Sequence, residues 1–166
     1  MTERLHLRPL EQADETTLQA LTSDPEVMRF VGDNHPMSLA QTHAFLNQAL
    51  ADHATKGYGA MAILRRGSLE WIGYCGLWWG EDTDAIELNY ALHKKYWGRG
   101  YALEAARAVL ERGFFHHHLE RVQATADPHN RASFKVLEVL GFIRTRMGTD
   151  VHGLPTAYFT LERNQS

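Results

Sequence analysis

Cysteine is nearly absent: Cys75 stands alone among 166 residues. No disulfide can close within the chain, so packing and hydrogen bonds must hold it together. A thiol without a partner fits a reducing compartment, and the expected location is cytoplasmic. A basic field is missing too, since 17 Lys and Arg are set against 20 Asp and Glu for a formal charge of −3. That balance argues against a nucleic-acid partner. No apolar run approaches the roughly 18 residues of a membrane span, and "MTERLHLRPLEQADE" lacks the apolar core of a signal peptide, so no membrane partner is expected. Prolines number only 5. No Pro/Gly/Ser-rich tract or internal repeat marks a linker, which leaves a single domain over residues 1–166.

What is present is periodic. Apolar residues make up 44% and charged residues 22% of the chain, as in ordinary globular proteins. "RLHLRP" (4–9) alternates and reads as a first strand. A helix is expected over 13–22, and a short one after Asp24-Pro25, where Asp24 can cap and Pro25 takes the first helical position. Ser38 opens a longer helix to about residue 54, with Leu39, Leu46 and Leu50 on one stripe. Residues 57–80 read as two strands joined by a turn at Arg66-Gly67-Ser68. "AIELNYALH" (85–93) alternates again. A helix over 101–117, a strand over 121–127 and a helix over 131–140 ended by Gly141 follow, and two strands close the chain. The order implies an α/β domain of the α+β type. Its mixed, largely antiparallel sheet should hold about seven strands, flanked by about four to five helices.

Between strand 85–93 and the helix at Tyr101 lies "HKKYWGRG". A strand that turns on glycines straight into a helix offers unpaired backbone N–H groups at the positive end of a dipole, which is a phosphate-binding arrangement. The donors would run from Gly98 through Arg99, Gly100 and Tyr101 to Ala102, with Lys94, Lys95 and Arg99 adding charge. Taken alone, a G-x-G reads better as an ordinary turn with a helix cap. Leu103 stands where a dinucleotide-binding fingerprint needs a third Gly or Ala, and no G-K-[ST] completes a P-loop.

The surroundings add more. Lys95-Tyr96-Trp97-Gly98-Arg99-Gly100 resembles the [QR]-x-x-G-x-[GA] motif of the GNAT superfamily of acyl-CoA N-acyltransferases, with Lys in place of Gln or Arg. "DPHNRASFKVLEVLGF" (127–142) matches a second signature, D-x-x-N-x-x-S-x-x-x-x-x-x-x-G-F, of its ribosomal-protein-alanine/serine (Rim-type) branch. The looser likeness runs from "LHLRPL" to "AYFTLER". The resemblance implies acetyl-CoA as co-substrate, no metal, and a splayed pair of strands holding the cofactor. On that basis residues 98–102 would cradle the pyrophosphate, and Leu92 and His93 would meet the pantetheine through their backbone. Asn130 would bind the pantetheine arm, Ser133 would lie near the sulfur, and Phe134 and Lys135 would line the cofactor tail. A homodimer would also fit the branch.

Acyl transfer from a thioester to an amine needs a neutral amine, a stabilised oxyanion and a proton for the leaving thiolate. Ser133 is the candidate donor, or else an ordinary helix-surface serine. A backbone N–H near Leu92 is the candidate oxyanion donor. Glu87 is the candidate base: alternation places it with Asn89, Ala91 and His93 on the face opposite Ile86, Leu88, Tyr90 and Leu92. The same alternation also describes a solvated polar face. Tyr158 and the loop residues Asp33, Asn34 and His35 are further acceptor-site candidates. An α-amino group costs only about 1 kcal/mol to deprotonate at pH 7 and a lysine about 4.6, so a single carboxylate base leans toward a protein N-terminus or another low-pKa amine.

Other features read more plainly. His116, His117 and His118 are consecutive on a helix end and cannot converge on one metal ion. One of Trp78 and Trp79 should face the core. Cys75 has no His or Asp partner in its own stretch and reads as a buried core residue. Arg65, Arg66, Arg144 and Arg146 read as solvated turn and strand charges. The expected activity is acetyl-CoA-dependent N-acetyl transfer to a primary amine by direct transfer in a ternary complex. The alternative is a catalytically silent acyl-CoA-binding module.

Overall fold

A computed structural model describes residues 1–164. Its strands are β1 (Leu5–Pro9), β2 (Ala60–Arg65), β3 (Trp71–Gly80), β4 (Ala85–Leu92), β5 (Arg121–Ala126), β6 (Ile143–Thr149) and β7 (Pro155–Glu162). The helices are α1 (Glu15–Thr22), α2 (Pro25–Met28), α3 (Leu39–Lys56), α4 (Tyr101–Phe115) and α5 (Arg131–Val139). Seven strands form one sheet in the order β1-β2-β3-β4-β5-β7-β6. Every neighbour is antiparallel except β4 and β5, which run parallel and share one registered pair, Glu87 with Gln123. The mixed, mainly antiparallel sheet expected from the sequence is therefore the one found.

Local signals explain most boundaries. Ser38 caps α3 in a reciprocal box with Gln41, each side chain bonding the other's backbone N–H at 3.1 and 2.8 Å. Asp24 accepts from the Glu26 N–H at 2.9 Å, with Pro25 next in line. Two boundaries differ from expectation. Residues 12–14 form a 3-10 turn rather than the start of α1, because Asp14 turns inward to the Arg8 guanidinium (2.7 and 2.8 Å) and caps the Glu11 N–H (2.8 Å). The fourth helix stops at Phe115 rather than residue 117, as His118 takes a positive φ of 54°.

Packing divides between the two faces of the sheet. One face holds Leu88, Leu92, Val122, Ala124, Ala126, Ala157 and Phe159 against α4 and α5, with Cys75 fully buried among them. The other packs Tyr74 and Ala91 beneath Leu18 and Leu21 of α1, Val27 and Met28 of α2 and Leu46 of α3. This second layer reaches no further than β4. Over β5, β7 and β6 the same face carries Gln123, Thr125, Tyr158 and Thr160 with no helix above them. Trp78 packs inward against Phe45, while Trp79 is 52% exposed, as alternation requires. No helix is long and apolar enough to cross a membrane among the described residues.

Candidate active site

The site lies where β4 and β5 part. His93 donates its N–H to Ile72 of β3 at 3.0 Å. Backbone groups alternate sides along an antiparallel strand, so the N–H groups of Leu92 and Tyr90 face away from β3, into the gap. Beyond Glu87 and Gln123 no further pair joins the two strands. The gap is therefore an unfinished ladder with donors on its β4 side. At its far end the Trp97 indole donates to the Leu92 carbonyl at 2.8 Å. Of the backbone contacts expected at Leu92 and His93, the Leu92 N–H remains open, while the Leu92 C=O and the His93 N–H have protein partners.

Directly below, the chain turns through Gly98 (φ 70°) and Gly100 (φ 78°) into α4. Both are left-handed conformations that cost an L-residue about 1–2 kcal/mol, and they turn the next amides outward. Among the described residues no protein acceptor meets the amides of Gly98, Arg99, Gly100, Tyr101, Ala102 or Leu103. The first intrahelical bond runs from the Glu104 N–H to the Gly100 carbonyl. A clamp from the start of the chain holds this turn. Arg4 donates to the Arg99 carbonyl at 2.8 Å, pairs with Glu104 at 2.7 Å and lies 4.6 Å above the Tyr101 ring. Thr2 adds a 2.6 Å hydrogen bond to Glu104. Open amides, side-chain-free glycines and the adjoining gap fit a pyrophosphate followed by an extended amide-bearing arm. Lys94 and Lys95 are exposed and paired with Glu26 and Glu70, so they frame the turn from outside.

The candidate catalytic side chains lie on opposite faces of the sheet at the head of the gap. Glu87 is 8% exposed, and its Oε1 has no hydrogen-bond partner. Burial pushes its carboxyl up to about 7, and the nearby Asp82 adds to the shift. The Thr83 hydroxyl lies close enough to oppose the rise but makes no closed hydrogen bond. Gly80 makes the space, since a Cβ there would overlap the Glu87 carboxyl carbon. The amide nitrogen of Asn89, on the same face, is likewise buried and unpartnered. Through the gap, on the α5 side, Tyr90 OH and Ser133 Oγ are 2.9 Å apart. Burial raises the Tyr90 phenol to about 12. Asn130 caps α5, its Oδ1 accepting from the Ser133 N–H at 3.2 Å, so it fixes the serine in place.

The remaining expected residues are spread more widely. Phe134 stacks edge-on against Phe159, 5.1 Å between centroids, and Lys135 is exposed on the outer side of α5. His93 is half-buried beside Trp71, and burial lowers its pKa. Tyr158 is buried on the face that Glu87 shares, two strands away, and donates to the Thr149 carbonyl at 3.2 Å. Asp33, Asn34 and His35 form a turn, exposed at Asp33 and His35 and half-buried at Asn34, whose hydrogen bonds stay within the loop: Asp33 Oδ1 accepts from the His35 N–H at 3.0 Å. Tyr90 and Gly80 were not among the residues singled out in the sequence. Alternation marks Tyr90 only as apolar-face filling, and nothing local announces its partner 43 positions away.

The acetyltransferase (GNAT) domain profile matches residues 4–143. The chain belongs to the GNAT acetyltransferase family. It is 34% identical to the uncharacterized protein YkkB of Bacillus subtilis, over 85% of this chain and 83% of that one. The crystal structure of an acetyltransferase from Agrobacterium tumefaciens superposes with a TM-score of 0.86 at 29% identity, covering 98% and 93% of the two chains. A ribosomal-protein-S5-alanine acetyltransferase of Vibrio fischeri shares the fold at a TM-score of 0.79, with 17% identity over 99% and 96%. The GNAT enzyme described here is thus an acetyl-CoA-dependent acyltransferase. Among the described residues no group of three His, Cys, Asp or Glu side chains converges, the consecutive histidines 116–118 included.

Proposed function

We propose that this GNAT enzyme transfers an acetyl group directly to a primary amine in a ternary complex, with Glu87 as base and Ser133 as acid. The observation carrying the proposal is that a buried, unpartnered carboxylate and a hydrogen-bonded hydroxyl pair face the same gap from opposite sides of the sheet. Residues 98–102 hold the pyrophosphate, and Asn130 keeps Ser133 beside the sulfur. Acetyl-CoA supplies the activated acyl group. The amine enters from the Glu87 face. At a pKa near 7 the carboxylate is about half ionised at neutral pH and takes the ammonium proton directly or through one water. The Tyr90 N–H, directed into the gap beside Ser133, donates to the developing oxyanion. On the other face the departing sulfur takes the Ser133 proton, Tyr90 holding the hydroxyl in place at 2.9 Å, and the second proton that the nitrogen sheds on becoming an amide returns through water to Ser133.

The acceptor is a protein N-terminal α-amine, as in the ribosomal-protein branch, or a small amine of similar pKa. A base near 7 matches such amines far better than lysine, whose deprotonation at pH 7 costs about 4.6 kcal/mol. Thiol release from acetyl-CoA, followed across N-terminal peptides, amino acids, polyamines and aminoglycosides, tests the assignment. Acceptor-stimulated release that drops at least 100-fold in Glu87→Gln is expected. Tight CoA binding with no release by any amine would leave a silent acyl-CoA-binding module instead.

A further inference from the structure

On the Glu87 face the sheet is covered by helices only as far as β4, and among the described residues its open half has one cation with no partner. β6 pairs with β7 in one register at Ile143–Thr160 and Arg144–Phe159, then slips by one residue so that Arg146 opposes Tyr158. Without that bulge Thr145 would stand opposite Tyr158; with it, Arg146 turns onto the Glu87 face. The guanidinium carbon lies 3.6 Å from the Tyr158 ring centroid. Gly148 leaves room for it, because a Cβ there would come within 2.7 Å of the Arg146 Nη1. Among the described residues no carboxylate or carbonyl accepts from Arg146. The nearby acids are engaged elsewhere: Asp82 accepts from the Val151 N–H at 2.6 Å, and Asp150 from the N–H groups of His152 and Leu154 at 2.9 and 2.8 Å. Register puts Thr125, Tyr158 and Arg146 in one row across β5, β7 and β6, next to the row of Glu87, Gln123 and Thr160. Arg146 is exposed, as its sequence position suggested, but it is held against the Tyr158 ring rather than free in solvent. It is a stacked, pre-oriented fork on the acceptor side of the base.

We infer that Arg146, backed by Tyr158 and seated by Gly148, binds a carboxylate on the acceptor, so that the small amine acetylated here carries an acid group, as an amino acid does. This rests on the acetyltransferase reading above. A planar guanidinium offers two parallel N–H donors to a carboxylate, and such charge-assisted bonds are about twice as strong as neutral ones.

The test compares free amino acids with their carboxamides in the thiol-release assay, using wild type, Arg146→Gln and Arg146→Lys. The ratio of kcat/KM for acid over amide should fall about 10- to 100-fold in Arg146→Gln, mostly through KM, the range expected for hydrogen bonds to a charged group. Arg146→Lys should fall between, since it keeps the charge but loses the fork. CoA affinity is the control for folding. Equal losses on acids and amides would reduce Arg146 to a stacking residue and overturn the inference, as would turnover of amides and simple amines with no preference for acids. Should no amine release CoA, the catalytic reading fails. Calorimetry of amino acids on the CoA-loaded protein then decides the subsite: binding lost in Arg146→Gln sustains it, and no binding to wild type overturns it.

Discussion

Glu87→Gln separates a buried base from a surface carboxylate, because the two differ in how stability depends on pH. The Glu87 carboxyl titrates at about 7 in the folded protein, against 4.5 in the open chain. Below pH 4.5 both states hold the proton and the burial is without electrostatic cost. Between 4.5 and 7 the unfolded chain ionises and the folded one does not, so stability is lost as pH rises through about 7. At 1.36 kcal/mol per unit, the loss is about 3 kcal/mol. Glutamine cannot titrate, so the stability of Glu87→Gln relative to wild type should rise by about that much between pH 4 and pH 8.5. For a chain of this length, roughly 2–4 °C per kcal/mol gives a relative gain of roughly 6 to 12 °C in Tm. Urea unfolding of both proteins across that range measures it. Parallel curves would show that Glu87 is solvated and would remove the reason for assigning it as base. Turnover should move oppositely: the variant's deficit is largest above pH 7, where the wild-type carboxylate is ionised.

Other perturbations address separate parts of the site. Gly100→Val should cost about 1–2 kcal/mol through the left-handed backbone alone, and should weaken CoA binding in calorimetry well beyond that stability loss. Unchanged affinity would mean that the phosphates lie elsewhere. Gly80→Ala should displace the Glu87 carboxyl, lowering kcat while sparing CoA affinity; a wild-type pH–rate profile would count against the Gly80 contact. Tyr90→Phe removes the partner of Ser133 and should slow turnover by about 10-fold, the value of one neutral hydrogen bond, with no effect if the serine acts alone. Arg4→Ala, by unfastening the Arg99 carbonyl, should raise the Kd for CoA and leave the KM of the amine alone.

Some of this was legible in the sequence and some was not, for physical reasons. Alternation in "AIELNYALH" placed Glu87 and Asn89 opposite Leu88 and Leu92, and the two packing clusters divide along that line. Cap chemistry at Ser38 and Asp24 located two helix starts because it acts over three residues. The glycine turn was visible because left-handed backbone selects glycine. The Arg4–Glu104 clamp was not, since its members lie 100 positions apart and each looks like an ordinary surface charge. The stacking of exposed Arg146 on Tyr158 was not legible for a related reason. A bulge leaves no mark in a polar strand, and a one-residue slip reverses which face a side chain takes. The start of α1 was misplaced because Asp14 satisfies an arginine across the chain rather than continuing the helix.

The single registered pair between β4 and β5 has a mechanical meaning as well. The sheet is two plates, β1 to β4 and β5 to β7, joined edge to edge by that one rung, with α4 as the chain connection between them. An extended amide-bearing chain laid in the opening would work as a missing strand, continuing the ladder where the protein stops. Coenzyme is then a structural member during each turnover. The enzyme should be stiffest when loaded and should loosen along one seam as the spent carrier leaves.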